Sequence, residues 1–408
     1  MLRSRLSRQV RLVGLGRAHG PRVSSETLGK LYTSRLDKLC PGHGQAKFAE
    51  QMFAQGPKAR SLVLDPAEDR SKDPVEKIYA DAADHLIRLS SQASKEAIQA
   101  VGCPTSDYRG AVFVSEVPNC APLNTRLWRT VGLQLDVRSR DVIGTGCLGG
   151  VQGLLSGIDL ATMDPLGLVL VSYGETLASR SPHLVPRDQQ PELLARLKKD
   201  PKDKDALYWQ RSGAVIESIL GDGFIAAVLA GEQHPAFWSL PWSAGPVILD
   251  SIEETIPDTE HLAWVKPNHT GVRMHLSPQV PDTAPCAVAM IKKLLARNGL
   301  SPADIDLWLP HNGGVKVLNK IEQELGLRHK QELKFSWQEF EECGNSLSVG
   351  VIGVLKRAME SGEACPGDLI VMVSFGPGMR ASAILAKLPP VDCRTRCEAE
   401  QKALDMAH

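Results

Sequence analysis

Neither sign of charge is in excess: lysine plus arginine and aspartate plus glutamate both number 47, so the formal net charge is zero. Without a net basic field there is nothing to draw the chain to RNA or DNA, and no nucleic-acid partner is expected. No apolar run approaches the roughly 20 residues that a membrane-spanning helix needs. The nine cysteines are scattered, odd in number and lack metal-ligand spacing, and Cys393 and Cys397 near the polar tail match no known pair. A reducing compartment follows from that usage, and no metal is expected. What remains is ordinary globular usage, 43% apolar and 23% charged, in a chain of 408 residues, long enough for two core-bearing halves.

What is present is three short segments, far apart, that together carry a chemistry. Gly144-Thr145-Gly146-Cys147-Leu148-Gly149-Gly150 offers a thiol, Pro310-His311-Asn312-Gly313-Gly314 an imidazole, and Glu342-Cys343-Gly344-Asn345-Ser346 a carboxamide. A thiol nucleophile with nitrogen donors for a developing oxyanion is what thioester condensation requires. Each residue also has a plain structural reading: Cys147 as a small core residue, His311 as a hydrogen-bonded ring, Asn345 as a helix N-cap. Their settings weigh against that. The apolar pair Val142-Ile143 runs into Gly-Thr-Gly, and Val151, Leu154, Leu155, Ile158 and Leu160 then follow at helical spacing, which puts Cys147 on a strand-to-helix elbow. Unpaired amides and the positive end of the helix dipole at such an elbow favour the thiolate, so a lowered thiol pKa is expected. His311 lies on a second elbow, after the strand Leu307 to Leu309 and before Val315, Leu318, Ile321 and Leu325. Asn345 opens a third helix, with Val349, Val351, Ile352, Leu355 and Met359 on its apolar side.

The pattern runs through the chain twice. A helix ending at Ala100-Val101-Gly102 leads to a strand at Ala111 to Val114, a helix around Leu127, the Cys147 elbow, and strands at Leu166 to Val171 and Gly223 to Leu229. A helix ending at Asn298-Gly299-Leu300 leads to a strand at Leu307 to Leu309, the helix after Gly314, the Asn345 elbow, and strands at Leu369 to Val373 and Ala381 to Leu385. Cys147 and Asn345 are thereby expected at equivalent points of the two copies. Alternating strands and helices predict parallel sheets with ligands at the carboxyl ends of strands, and two such halves bring all three residues to one seam.

On these residues the chain resembles a type III polyketide synthase, the chalcone synthase-like branch of the thiolase fold, over roughly Val10 to Leu388. Supporting motifs are Leu220-Gly221-Asp222-Gly223, Ile256-Pro257-Asp258-Thr259, Gly271-Val272-Arg273-Met274-His275-Leu276 and, most specific, Phe375-Gly376-Pro377-Gly378. The resemblance implies an α/β, thiolase-like fold: two pseudo-symmetric halves in a layered αβαβα core. The halves are 1–235, with a charged insertion at about 181–210, and 236–389, before a polar tail at 390–408. It implies Cys147 as acyl-accepting nucleophile and His311 with Asn345 as the pair that binds malonyl-CoA and promotes its decarboxylation. Gly313 and Gly314 match backbone lining a coenzyme A tunnel, and Lys58 or Arg60 matches the basic residues that hold its phosphates. Phe375, Gly376, Pro377 and Gly378 resemble the wall of a cyclisation pocket, and Glu175 a buried acid within it.

Departures from the family pattern sharpen the expectation. His-Asn-Gly-Gly replaces His-Pro-Gly-Gly, so the turn loses its fixed φ. Aliphatic Leu220 and Met274 stand where aromatic gatekeepers are expected, which favours a long aliphatic acyl-CoA starter over a flat aryl one. The run Lys198 to Asp205 reads as a solvated surface insertion. Implied are acyl transfer to Cys147, decarboxylative Claisen extension with malonyl-CoA and closure to a resorcinol, acylphloroglucinol or pyrone. Because decarboxylation supplies the carbanion, no cofactor is expected beyond coenzyme A thioesters as substrates. A homodimer is implied, with a cross-interface contact near Cys120 to Pro122. Met1 to Ser25 holds six arginines and no acid, as transit peptides do, but Val10 to Ala18 matches the family's first strand, so a cytoplasmic location is expected. The rivals are a single-condensation ketoacyl synthase III-like enzyme that uses an acyl carrier protein, and a non-catalytic acyl-CoA-binding descendant.

Overall fold

The computed structural model describes residues 8–116, 122–187, 189–268 and 271–391. The tail from 392, with Cys393 and Cys397, the first seven residues, and Cys120 of the expected dimer contact lie outside the described residues. Nine strands form one mixed sheet: β1 Val10–Ala18, β2 Tyr108–Ser115, β3 Arg138–Ile143, β4 Leu168–Glu175, β5 Gly223–Gly231, β6 Val247–Thr255, β7 Leu307–Pro310, β8 Leu369–Gly376 and β9 Arg380–Lys387. Their order is β7-β8-β9-β6-β1-β5-β4-β2-β3. Central strands such as β4 and β5 are buried along their whole length, which is why they read as continuous apolar runs rather than alternating ones.

The sheet corrects the expectation of parallel halves. β2 pairs in parallel with β3 and β4, and β7 with β8, but β4/β5, β5/β1, β8/β9 and β9/β6 are antiparallel. The halves meet where β1 and β6 pair, at Val10 with Ile248 and Arg11 with Val247. Helices account for the layers: α1 Ser25–Leu39, α2 Val75–Val101, α3 Gly149–Met163, α4 Gln190–Lys199, α5 Lys204–Ile219, α6 Ala284–Arg297, α7 Val315–Leu325, α8 Lys334–Cys343 and α9 Gly350–Glu360. One core packs α3 and α9 between the inner faces of both half-sheets, with Val151, Leu154, Val351 and Leu355 all buried. A second fills the outer face of the first half beneath α2, and a third the outer face of the second half beneath α6, α7 and α8. The result is the five-layered αβαβα sandwich that the resemblance implied.

Around the central helices the pseudo-symmetry keeps one chain offset, since Gly149 to Gly350 spans the same number of residues as Leu168 to Leu369. That offset corrects one equivalence. A 3₁₀ turn precedes each central helix, Gly146–Leu148 and Leu347–Val349, and both turns open at positive φ, +54° at Gly146 and +52° at Leu347. The counterpart of Cys147 is therefore Ser348, and Asn345 lies three residues before it. Gly150 lets the two helix starts approach, because a Cβ there would meet Val351 and sit 2.7 Å from the Ser348 carbonyl. Among the described residues no helix is long and apolar enough to cross a membrane.

Candidate active site

The Cys147 thiol donates to Asn345 Oδ1 at 3.6 Å across 198 positions of sequence. The partly buried Cys147 also packs against the apolar cluster of Leu177, Leu220 and Leu347. Its elbow has the expected strand-turn-helix form, but the expected electrostatics are reversed. Burial pushes the thiol up to about 12; the bond to Asn345 opposes this, and the Glu116 and Glu175 carboxyls add to it. Withdrawal from water and two acidic neighbours outweigh one helix terminus, so the resting group is a thiol.

Asn345 is held from both sides. Its N–H donates to the Ile219 carbonyl at 2.7 Å, its carbonyl accepts from Gly221 at 3.0 Å, and Leu220 bridges to it in parallel. This explains the Leu-Gly-Asp-Gly motif: Asp222 accepts from Val63 N at 2.9 Å and Ser179 N at 3.1 Å, which fixes the segment that clamps Asn345. The carboxamide orientation is set by backbone groups, with Leu347 N–H donating to Oδ1 at 2.9 Å and Nδ2 donating to the Gly313 carbonyl at 3.2 Å.

His311 continues β7, its N–H donating to the Val373 carbonyl of β8 at 2.7 Å. The ring is buried, edge-on to Phe375 with centroids 6.5 Å apart, and neither nitrogen has a hydrogen-bond partner. Burial lowers its pKa to about 4 despite the opposing effect of the adjacent Asn345 amide, so the imidazole is neutral. The nitrogen donor expected at this position is thus an uncharged ring. Gly350, unnoticed in the sequence, makes room for it: a Cβ there would stand 2.6 Å from His311 Nδ1 and collide with Asn312 Oδ1.

Two acids flank the thiol, of which only Glu175 was expected. β2 and β4 are parallel neighbours, and Glu116 follows the end of β2 while Glu175 ends β4. Glu175 accepts from Glu116 N–H at 3.0 Å and from the Ser348 hydroxyl, and Glu116 accepts from Gly146 N–H. Burial, then mutual repulsion, raises Glu175; burial raises Glu116. The pair thus retains a proton at neutral pH. An acid just past an apolar strand, on the ligand side of a parallel sheet, was the signal for Glu116. The Phe375 to Gly378 segment closes over the thiol turn: a Cβ at Gly376 would stand 2.6 Å from Leu148 N, and one at Gly146 would stand 2.8 Å from Pro377.

Leu220 and Met274 line one cleft of about 800 Å³, partly open to solvent, with Leu184, Leu193, Trp209 and Ile216. α4 and α5 form one side of it, so the segment containing the charged run also builds this wall. Leu193, Leu194 and Leu197 are buried, while Lys198 and Lys199 lie exposed at the end of α4 and Asp200 and Lys202 in the turn that follows. Of the two candidate phosphate ligands, Arg60 is a correction. It is fully buried, donates to the carbonyls of Ser218 and Leu220, and stacks over Phe53 at 5.5 Å. With its guanidinium committed inside the core, Arg60 cannot meet a solvent-borne phosphate. Lys58 is exposed and pairs with Glu341 at 2.8 Å. Gly313 lies beside His311 and Asn345, and Gly314 adopts φ +138° at the start of α7.

Two half-sheets around paired helices, with Cys147, His311 and Asn345 brought together near where those helices begin, define a thiolase-like fold. Residues 295–388 match the family described as 3-oxoacyl-[acyl-carrier-protein] synthase III C terminal. The chain is 28% identical over 310 residues to a 1,3,6,8-tetrahydroxynaphthalene synthase of Streptomyces peucetius subsp. caesius, covering 74% of this chain and 73% of that protein. It is 31% identical over 174 residues to the alpha-pyrone synthesis polyketide synthase-like Pks18 of Mycobacterium tuberculosis, 42% of this chain and 43% of that one. In structure it resembles PKS-I from the brown alga Ectocarpus siliculosus, with a TM-score of 0.77 at 20% identity over 94% of this chain and 99% of that one. Over most of its length the chain is thus similar, in sequence and in fold, to type III polyketide synthases.

Proposed function

We propose that this chain takes an acyl group from coenzyme A onto Cys147, extends it with malonyl-CoA by decarboxylative Claisen condensation, and releases the product by ring closure to a resorcinol, acylphloroglucinol or pyrone. The observation that carries this reading is the convergence of the Cys147 thiol on an Asn345 carboxamide that also neighbours His311. In loading, sulfur attacks the acyl-CoA carbonyl as the thiolate, and the proton that the thiol releases ends on the departing coenzyme A sulfur. Loss of carbon dioxide from malonyl-CoA then leaves an enolate, whose oxygen is bound by His311 Nε2–H and Asn345 Nδ2–H. Each well-placed donor contributes about 3 to 4 kcal/mol. The enolate carbon attacks the acyl thioester and expels the Cys147 thiolate. Since carbon dioxide leaves its bonding electrons on carbon, the sequence of steps requires no metal, flavin or nicotinamide.

The aliphatic side chains Leu177, Leu184, Ile216, Leu220 and Met274, in a cleft that also carries Gln190, Gln210 and Glu217, support a long acyl starter. A homodimer and a cytoplasmic location belong to the same reading. Purified protein incubated with fatty acyl-CoA and malonyl-CoA, and no carrier protein, is expected to give aromatic or pyrone products. Equal or better turnover of p-coumaroyl-CoA would overturn the starter assignment. The matched synthase III C-terminal family favours one alternative, a single condensation on an acyl carrier protein; strict carrier dependence in that assay would establish it.

A further inference from the structure

Asn312 is fully buried, and its Nδ2 donates to the Gly344 carbonyl at 2.7 Å. Asn345 makes the reciprocal bond, Nδ2 to the Gly313 carbonyl at 3.2 Å. Each asparagine therefore bonds the backbone next to the other, and the two bonds clasp the loop carrying His311 to the loop carrying the carboxamide. Besides this clasp, the His311 loop is held by backbone bonds at its strand end, His311 N–H to Val373 and Gly313 N–H to His311 at 2.9 Å. Cys147 stands on a separate element, the turn before α3, and reaches the pair through Asn345 Oδ1, which Leu347 N–H fixes independently. Resting on the reading of function given above, we propose that Asn312 is a positioning residue that sets the imidazole against the carboxamide for malonyl decarboxylation, while acyl loading onto Cys147 does not depend on it.

The physical case is one of alternatives. A proline at this position restrains the turn through φ and leaves the second loop untouched. The asparagine instead supplies a cross-loop bond out of contact with water, where such a bond is at its strongest. Its Oδ1 has no hydrogen-bond partner and abuts the start of α9, so the donor bond to Gly344 is what holds the side chain.

Two half-reactions separate this role from a general contribution to folding. One is release of labelled carbon dioxide from malonyl-CoA without starter; the other is acylation of Cys147 by acyl-CoA, read by intact mass. Asn312→Ala is expected to slow decarboxylation by about tenfold or more, since misplacement of about 1 Å is costly, and to leave the acylation rate within about twofold. In the Asn345→Ala background the same change is expected to cost less than about twofold more, because the two residues act as a unit. Parallel loss of both half-reactions, unchanged decarboxylation, or multiplicative effects in the double variant would each overturn the proposal. Should Asn312→Ala fail to fold, Asn312→Asp keeps the shape, sets an oxygen against the Gly344 carbonyl, and is expected to give the same split. A wild-type protein that releases no carbon dioxide from malonyl-CoA would refute the functional reading itself, and is told apart because there the unsubstituted enzyme is silent.

Discussion

Replacing Gly350 by alanine adds one methyl group at the first residue of α9, and the site has no room for it. The new carbon would sit 2.6 Å from His311 Nδ1 and 2.9 Å from its Cε1, and would collide with Asn312 Oδ1. None of these groups can swing into solvent: His311 is 1% exposed and Asn312 0%. The ring is backed by Phe375 and the amide is tied to Gly344. Relief therefore requires the His311 loop or the helix start to move by the better part of an ångström. Overpacking of this kind costs about 1 to 3 kcal/mol, offset by the roughly 1 kcal/mol that alanine gains over glycine in a helix. The net stability change is accordingly small, on the order of 0 to 2 kcal/mol. Catalysis has no such offset, because a misplaced donor loses its oxyanion, and a fall of about 10²-fold in malonyl decarboxylation is expected. Urea unfolding and carbon dioxide release, measured on one preparation, give both quantities. A Gly350→Ala enzyme with wild-type decarboxylation would refute the claim that the helix start sets the position of His311.

Three further outcomes follow from the same geometry. Because burial and the flanking carboxyls raise the Cys147 thiol to about 12, alkylation at this residue by iodoacetamide should climb with pH through pH 9 without a plateau; a plateau below pH 8 would contradict it. His311 is held near 4, below its unfolded value of about 6.5, so the native state refuses a proton that the unfolded chain accepts. Its contribution is intact above pH 6.5 and is lost as pH falls toward 4, so a His311→Gln variant should gain on wild type by up to about 1.4 kcal/mol per pH unit across that window. A constant gap between the two unfolding free energies would show that the ring is not buried neutral. Arg60→Met should destabilise the fold by about 2 to 3 kcal/mol, since the bonds lost are charge-assisted, while coenzyme A affinity measured by calorimetry changes little. Lost affinity with intact stability would restore Arg60 as a phosphate ligand.

The elbows were legible because they are local. Val142-Ile143 before Gly-Thr-Gly, and Gly149 before an apolar 3.6-residue pattern, specify strand, turn and helix within some twenty residues, and α3 spans Gly149–Met163. Strand cores were found for the same reason, although β4 and β8 each run on into the site, to Glu175 and Gly376. β6 lacks a continuous apolar pattern, its outer half being only partly buried, and it is the strand that joins the halves. Asn312 was noted only for the proline it replaces, since its bond to Gly344 spans 32 positions. The pairing of Glu116 with Glu175 leaves no local sequence signal, because the partner lies 59 residues on.

Residue type and short-range pattern were enough to single out the candidate reactive groups, the kind of turn on which each stands, and the repeat of the architecture. Tertiary structure alone decided their states: that the thiol keeps its proton, that the imidazole stays neutral, that Arg60 is sealed inside, and that two asparagines bond across loops. Turn and helix preferences act over a few residues of backbone, whereas desolvation and charge coupling depend on whatever the folded chain brings alongside, here from as far as 198 positions away.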